Sequence, residues 1–384
     1  MGGRLFLYTY LNSILSQNLS IRFYHLVLAM LIFDAHLDLS LNALEYNRDL
    51  RQSVHQIRSQ EVGLTDLKGR SAGTVAFPEM RRGGIGLCVA TLLAGCMKPP
   101  GPVGAWESPH QAWAMTQGQL AWYRSMEADG QLKQIVDLAG LEQQLLEWEA
   151  SPSDTPIGYI LSLEGADSLR TLDDLSLAHS HGLRALGPAH YGIGRYALGH
   201  DCEGGLSEMG RSLLGEMDQL EMILDVTHLA EQTFWDALDL YAGSVWASHH
   251  NCRSLVDDPR QLSDRQIREL ASRGAVIGVA LDVWMMVPKW ERGISSHANR
   301  NDANFAALAD HVDHIVQLLG TADHVGIGTD LDGGYGTEQS PSDLDTISDL
   351  RVFLNILRHR GYDEAAIEGI CHGNFVNFLR RHWS

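Results

Sequence analysis

The sequence predicts an α/β protein of the (β/α)8 barrel class. Three observations carry this. Short apolar runs alternate with amphipathic stretches along the chain, eight such runs can be counted, and acidic or histidine residues follow most of them. Alternation of strand and helix implies a parallel sheet covered by helices, and eight strands fit a closed barrel. The rival is an open, doubly wound sheet. Its glycine-rich fingerprint, G-x-G-x-x-G after the first strand, is missing here, and "GIGTD" (326–330) alone is too weak to replace it.

The expected strands are "LIFDA" (31–35), "GIGLCVATLL" (84–93), "IGYILSL" (157–163), "LRALG" (183–187), "MILDV" (222–226), "SVWAS" (244–248), "AVIGVAL" (275–281) and "HVGIG" (324–328). Each is short, β-branched or glycine-rich, and bounded by polar residues. Helical periodicity marks 109–127, 131–149, 209–220, 229–241, 262–273, 302–319 and 343–358. In "LSDRQIRELASRG", Ser263 is placed to cap a helix, Leu262 to staple it and Gly274 to stop it.

Composition narrows the function classes. The chain has 384 residues, is 45% hydrophobic and carries a net charge of −19. That is ample for one large core, and a poor match to nucleic acid or an anionic membrane surface. Cys88, Cys96, Cys202, Cys252 and Cys371 are scattered and include no Cys-x-x-Cys pair. Neither a disulfide framework nor a thiolate metal site is expected, which favours a reducing compartment. The longest apolar run near the N-terminus, Leu26 to Phe33, is far below the ~20 residues of a membrane span. Without a clear signal peptide, membrane span or lipid-anchor signal, a cytoplasmic location is expected. Residues 1–29 are read as a dispensable extension, and residues 30–384 as a single domain.

In a barrel the active site lies where the strands end. His36 and Asp38 follow strand one, Glu164 strand three, His190 strand four, His228 strand five, His249 and His250 strand six, and Asp330 and Asp332 strand eight. Strands two and seven end in apolar or small residues. Residues i and i+2 of an extended chain point the same way, so His36 and Asp38 can reach one centre. Imidazole nitrogen beside carboxylate oxygen is ligand chemistry for Zn²⁺ or a similar cation. Five ligands exceed the usual three of one catalytic zinc, and a carboxylate can bridge. The economical assignment puts one metal on His36, Asp38 and Glu164, and a second on Glu164, His228 and His249.

Other candidates have plainer readings. His311 and His314 share a helix face but lack the glutamate base of a zinc helix, so packing or surface is expected. His179 and His181 end a helix and favour its dipole. Asp332 reads as a turn residue before Gly333 and Gly334, and His250 as a support rather than a ligand.

From about residue 31 to 380 the chain resembles the membrane (renal) dipeptidase family, peptidases of the amidohydrolase-like barrel group. The likeness rests on "DAHLD", "SLEGAD", "GGLSEMGRSLLGEMDQLEMILDVTH", "ASHHNCRSLVDDPRQLSD", "HVDHI", "HVGIGTDLDGG" and "GNFVNFLR", in that order. The resemblance implies two Zn²⁺ per chain bridged by Glu164, a metal-bridging water as nucleophile, and hydrolysis of dipeptides, L-L and possibly L-D. It places the metal ligands on His36, Asp38, Glu164, His228 and His249. It further implies that Asp330 shuttles the proton, that His190 stabilises the oxyanion, that Arg260 grips the free carboxylate, and that the protein forms a homodimer. The walls depart from the family: "GVALDVWMMVPKW" after strand seven brings Leu281, Asp282 and Trp284, and "CVATLLAGC" lacks an aromatic beside the pocket. Two alternatives stand beside a dipeptidase. One is a related binuclear amidohydrolase acting on another small amide, lactone or cyclic substrate. The other is a non-catalytic barrel that binds metal or a partner.

Overall fold

The computed structural model describes residues 30–96, 103–298 and 300–384. The segment 1–29, expected to be dispensable, lies outside them. Among the described residues, eight parallel strands form the barrel: β1 (Ile32–Leu37), β2 (Ile85–Leu93), β3 (Ile157–Glu164), β4 (Leu183–Gly187), β5 (Ile223–Asp225), β6 (Val245–Trp246), β7 (Ile277–Val279) and β8 (Val325–Ile327). Each of the eight expected runs overlaps one of them, β1 and β3 running on past the expected ends at 35 and 163 to Leu37 and Glu164. Neighbours follow chain order from β1 to β6, and β7 pairs with β8, which returns to β1 through Asp34 opposite Ile327. Ala247 pairs with Ile277 in parallel register and joins the β6 side to β7. The result is a near-closed barrel.

All residues of β1, β2 and β3 are buried, as expected of strands with helices on one side and a packed interior on the other. Phe33 and Ala35 share one apolar cluster at alternate positions of β1, and a register shift in the pairing with β2 falls between Asp34 and Leu37. Phe33 and Trp246 meet Phe375 of the C-terminal helix Asn374–His382, with ring centroids 5.2 and 5.9 Å away. Phe375 thus packs against β1 and β6 together.

The helices follow their local signals. Ser263 accepts from Gln266 N and completes a capping box on Asp264–Ser272. Asn304 caps Phe305–Leu319, which stops at Gly320 with φ 76°. The helix expected over 131–149 is a correction: Leu132–Gln134 is a short strand paired with Ile157–Tyr159, and the helix begins at Leu138 behind the Asp137 cap. Pairing with β3 overrides the local helical period there. Among the described residues no helix is long and apolar enough to cross a membrane.

Candidate metal centre

The strand ends deliver the expected residues to one place. His36 is the fifth residue of β1, Asp38 follows its end, and Glu164 closes β3. His36 Nε2 lies 3.3 Å from Glu164 Oε2, 3.7 Å from Asp38 Oδ1 and 3.8 Å from Asp330 Oδ1. The other oxygen of Glu164 lies 3.0 Å from His228 Nε2, 3.6 Å from His249 Nε2 and 4.0 Å from His190 Nε2. His228 and His249 bring their Nε2 atoms within 3.0 Å of each other.

Among the described residues, three groups place one ligand atom of each member within 4.8 Å of the others: His36, Asp38 and Glu164; Glu164, His190 and His228; and His36, His249 and Asp330. Glu164 belongs to two of them. The donor set fits divalent cations of the zinc type. Burial alone would discharge His36, yet Glu164, Asp38 and Asp330 outweigh it and push the imidazole up to about 10. Its buried Nε2 nevertheless makes no hydrogen bond. Such a concentration of negative field around an unbonded nitrogen suits a cation. Burial holds His228 and His249 well below the usual histidine range, so both rings are neutral donors of electron pairs. Burial opposes ionisation of Glu164 as well, but the charge of His36 reverses this and holds its carboxyl far below its ordinary value.

Backbone strain accompanies these positions. His228 and Asp330 have φ of 68° and 58°, left-handed conformations that cost about 1–2 kcal/mol for a residue with a Cβ. Asp330 is partly exposed at the cavity, and desolvation in its surroundings pushes its carboxyl well above the ordinary range. Burial lowers His190, which therefore stands neutral with an N–H to donate. Arg260 is 1% exposed; its Nη2 donates to His249 O at 2.9 Å, and its Nη1 makes no hydrogen bond. A cavity of about 340 Å³ reaches Glu164, His190, His228, Arg260 and Asp330 together.

A profile of the membrane dipeptidase family, peptidase family M19, matches residues 21–382. The chain belongs to this family. Its solved structures agree: a dipeptidase of family M19 is 27% identical at a TM-score of 0.71, covering 92% of this chain and 99% of its own. A metallopeptidase of Rhodobacter sphaeroides, liganded with a phosphinate mimic of the dipeptide L-Ala-D-Ala, is 26% identical at a TM-score of 0.73, covering 92% and 100%. Among curated relatives, the dipeptidase tcpJ of Claviceps purpurea is 28% identical over 58% of this chain, an alignment that spans 51% of its own length. An uncharacterized Klebsiella pneumoniae protein is 27% identical over 61% of this chain and 86% of its own. M19 proteins are metallo-dipeptidases, hydrolases of a peptide bond.

Several residues around this M19 site escape sequence reasoning. Thr91 of β2 donates its hydroxyl to Asp38 Oδ1, so β2 does contribute at its end. Asp282, already expected on the wall after strand seven, is buried there and accepts from Trp284 Nε1 at 2.6 Å and from Gln339 Nε2 at 2.9 and 3.0 Å. Asp34 and Asp225 lie within strands. Their signal was available: a carboxylate inside an otherwise apolar run. Three residues read more plainly from the sequence have partners of their own. Asp332 accepts from Thr74 and Val75 and faces Arg48 at 3.7 Å. His250 donates its backbone N–H to Gly278 O. His311 Nε2 bonds Met286 O while its Nδ1 accepts from Cys252 N.

Proposed function

We propose that this chain is a two-metal dipeptidase that hydrolyses free-carboxylate dipeptides, with zinc as the metal. The observation that carries the reading is Glu164: its two oxygens face different histidines, at a cavity lined as well by Arg260, whose buried Nη1 has no hydrogen-bond partner among the described residues. His36, Asp38 and Glu164 would hold one cation, and Glu164, His228 and His249 the other. Cations so held act as Lewis acids and make water a competent nucleophile near neutral pH.

The remaining work falls to side chains. The guanidinium fork of Arg260 suits a bidentate grip on the terminal carboxylate. Neutral His190 would donate its N–H to the carbonyl oxygen as negative charge develops there. Asp330, with its raised proton affinity, would accept a proton as water adds to the carbonyl carbon. It would return that proton to the departing amine nitrogen as the C–N bond breaks. L-D dipeptides join L-L dipeptides as proposed substrates, supported by the L-Ala-D-Ala mimic bound to the Rhodobacter relative.

The experiment joins metal content to activity. Metal per chain is counted after exhaustive dialysis, and L-L and L-D dipeptides are assayed beside a tripeptide and an N-acylated, C-amidated control. Two metals with cleavage of free-carboxylate dipeptides alone are expected. Two metals with no dipeptide cleavage would discard the substrate class and retain the hydrolase site.

A further inference from the structure

Two carboxylates inside the barrel have no part in the chemistry above. Asp34 in β1 and Asp225 in β5 are 0% and 5% exposed. Asp34 Oδ1 accepts from His36 N at 3.2 Å on its own strand and from Thr329 N at 2.8 Å beyond β8; its Oδ2 accepts from Thr329 Oγ1 at 2.6 Å. Asp225 Oδ1 accepts from Thr227 N at 3.0 Å on its own chain segment and from Ser248 N at 3.2 Å beyond β6.

The two sets of donors correspond. Each carboxylate joins one backbone N–H just after it to one at the end of a neighbouring strand. Thr329 immediately precedes Asp330, and Ser248 immediately precedes His249. On the near side, Asp34 holds the peptide of His36 itself, and Asp225 holds the peptide before His228. The pairs so joined are His36 with Asp330, and His228 with His249.

The physical case is one of cost. A buried carboxylate without a bonded cation is expensive, and an apolar residue would pack there more cheaply. Both carboxylates receive neutral donors only. What they provide is geometric: at a strand end the ladder runs out of partners, and one acceptor spanning two strands fixes their separation. Metal sites tolerate little error in ligand placement.

We infer that Asp34 and Asp225 are positioning residues, each fixing one half of the metal centre: Asp34 sets His36 against Asp330, and Asp225 sets His228 against His249. This rests on the two-metal reading above.

The test uses Asp34→Ala and Asp225→Ala beside Asp34→Asn and Asp225→Asn in the full chain, with two readouts. The first is metal per chain at graded chelator concentrations. Each Ala variant is expected to fall from two metals to one. Asp225→Ala combined with His228→Ala should hold no less metal than His228→Ala alone, whereas Asp34→Ala with His228→Ala should hold none. The Asn variants keep a carbonyl acceptor for both N–H groups and should retain two. The second readout is amide exchange, which requires no metal. Asp34→Ala should lose protection at His36 and Thr329 only, and Asp225→Ala at Thr227 and Ser248 only. Unchanged protection, or loss spread equally over both halves, would overturn the inference. A wild-type chain that binds no metal but shows this local pattern would instead count against the two-metal reading.

Discussion

His36 Nε2 lies 3.3 Å from Glu164 Oε2, while the second oxygen of the same carboxylate is taken up by His228 at 3.0 Å. One side chain thus serves both halves of the centre. A glutamine in its place offers one oxygen and one N–H donor, and cannot face two cations. Glu164→Gln is expected to reduce bound metal from two to one or fewer per chain and to lower kcat at least ~10³-fold. Elemental analysis of the folded variant, alongside its turnover, checks both.

Arg260 bears on substrate length. Its Nη1 is buried and unpaired, and a charged hydrogen bond to a carboxylate is worth about 1.5–3 kcal/mol. Arg260→Ala should therefore cut kcat/KM for free-carboxylate dipeptides about 10²-fold, with both metals retained. Arg260→Lys should recover part of the loss, since it keeps the charge and loses the fork. Equal losses on a dipeptide and on its C-terminal amide would sink the clamp.

Asp282 predicts a pH effect on stability. Burial lifts its carboxyl to about 7 from 3.8. The folded state then binds a proton that the unfolded state has lost, so stability from this group falls as pH rises between those values. Asp282→Asn should leave stability near pH 4 unchanged and raise it above pH 7 by on the order of 4 kcal/mol. Urea unfolding at the two pH values measures the difference.

His311 distinguishes packing from metal binding. Its two ring nitrogens join Cys252 N and Met286 O at 3.1 and 3.0 Å. Burial lowers it to about 4, so its contribution is present above pH 6.5 and lost as pH falls towards 4. His311→Ala should destabilise the fold by about 2–4 kcal/mol at neutral pH while leaving metal content unchanged. A loss of metal without a loss of stability would restore His311 and His314 as ligands.

The barrel was legible because each strand is a brief apolar run closed by polar residues, and because Glu164, His228 and Asp330 stand at the ends of such runs. The i, i+2 spacing foretold that His36 and Asp38 would converge. Arg260 carries no local signal; it lies in a loop and gains meaning only from the fold's return of that loop to His249. Asp34 and Asp225 were passed over for the opposite reason. They sit inside apolar runs, and their far partners, Thr329 and Ser248, are brought near only by the closing of the sheet. The strand at Leu132–Gln134 was hidden likewise, since its pairing to β3 is not written in its own periodicity.

The bond from Arg260 Nη2 to His249 O has one more consequence. The group proposed to hold the substrate's tail is bolted to the peptide unit of a residue proposed to hold a metal. The distance between tail and scissile carbonyl is then a fixed gauge, set by one carbonyl rather than by a mobile loop. A dipeptide has one residue to lay along that gauge. A tripeptide has two, and must either lift its carboxylate from the guanidinium or slide its first peptide bond past the point of attack.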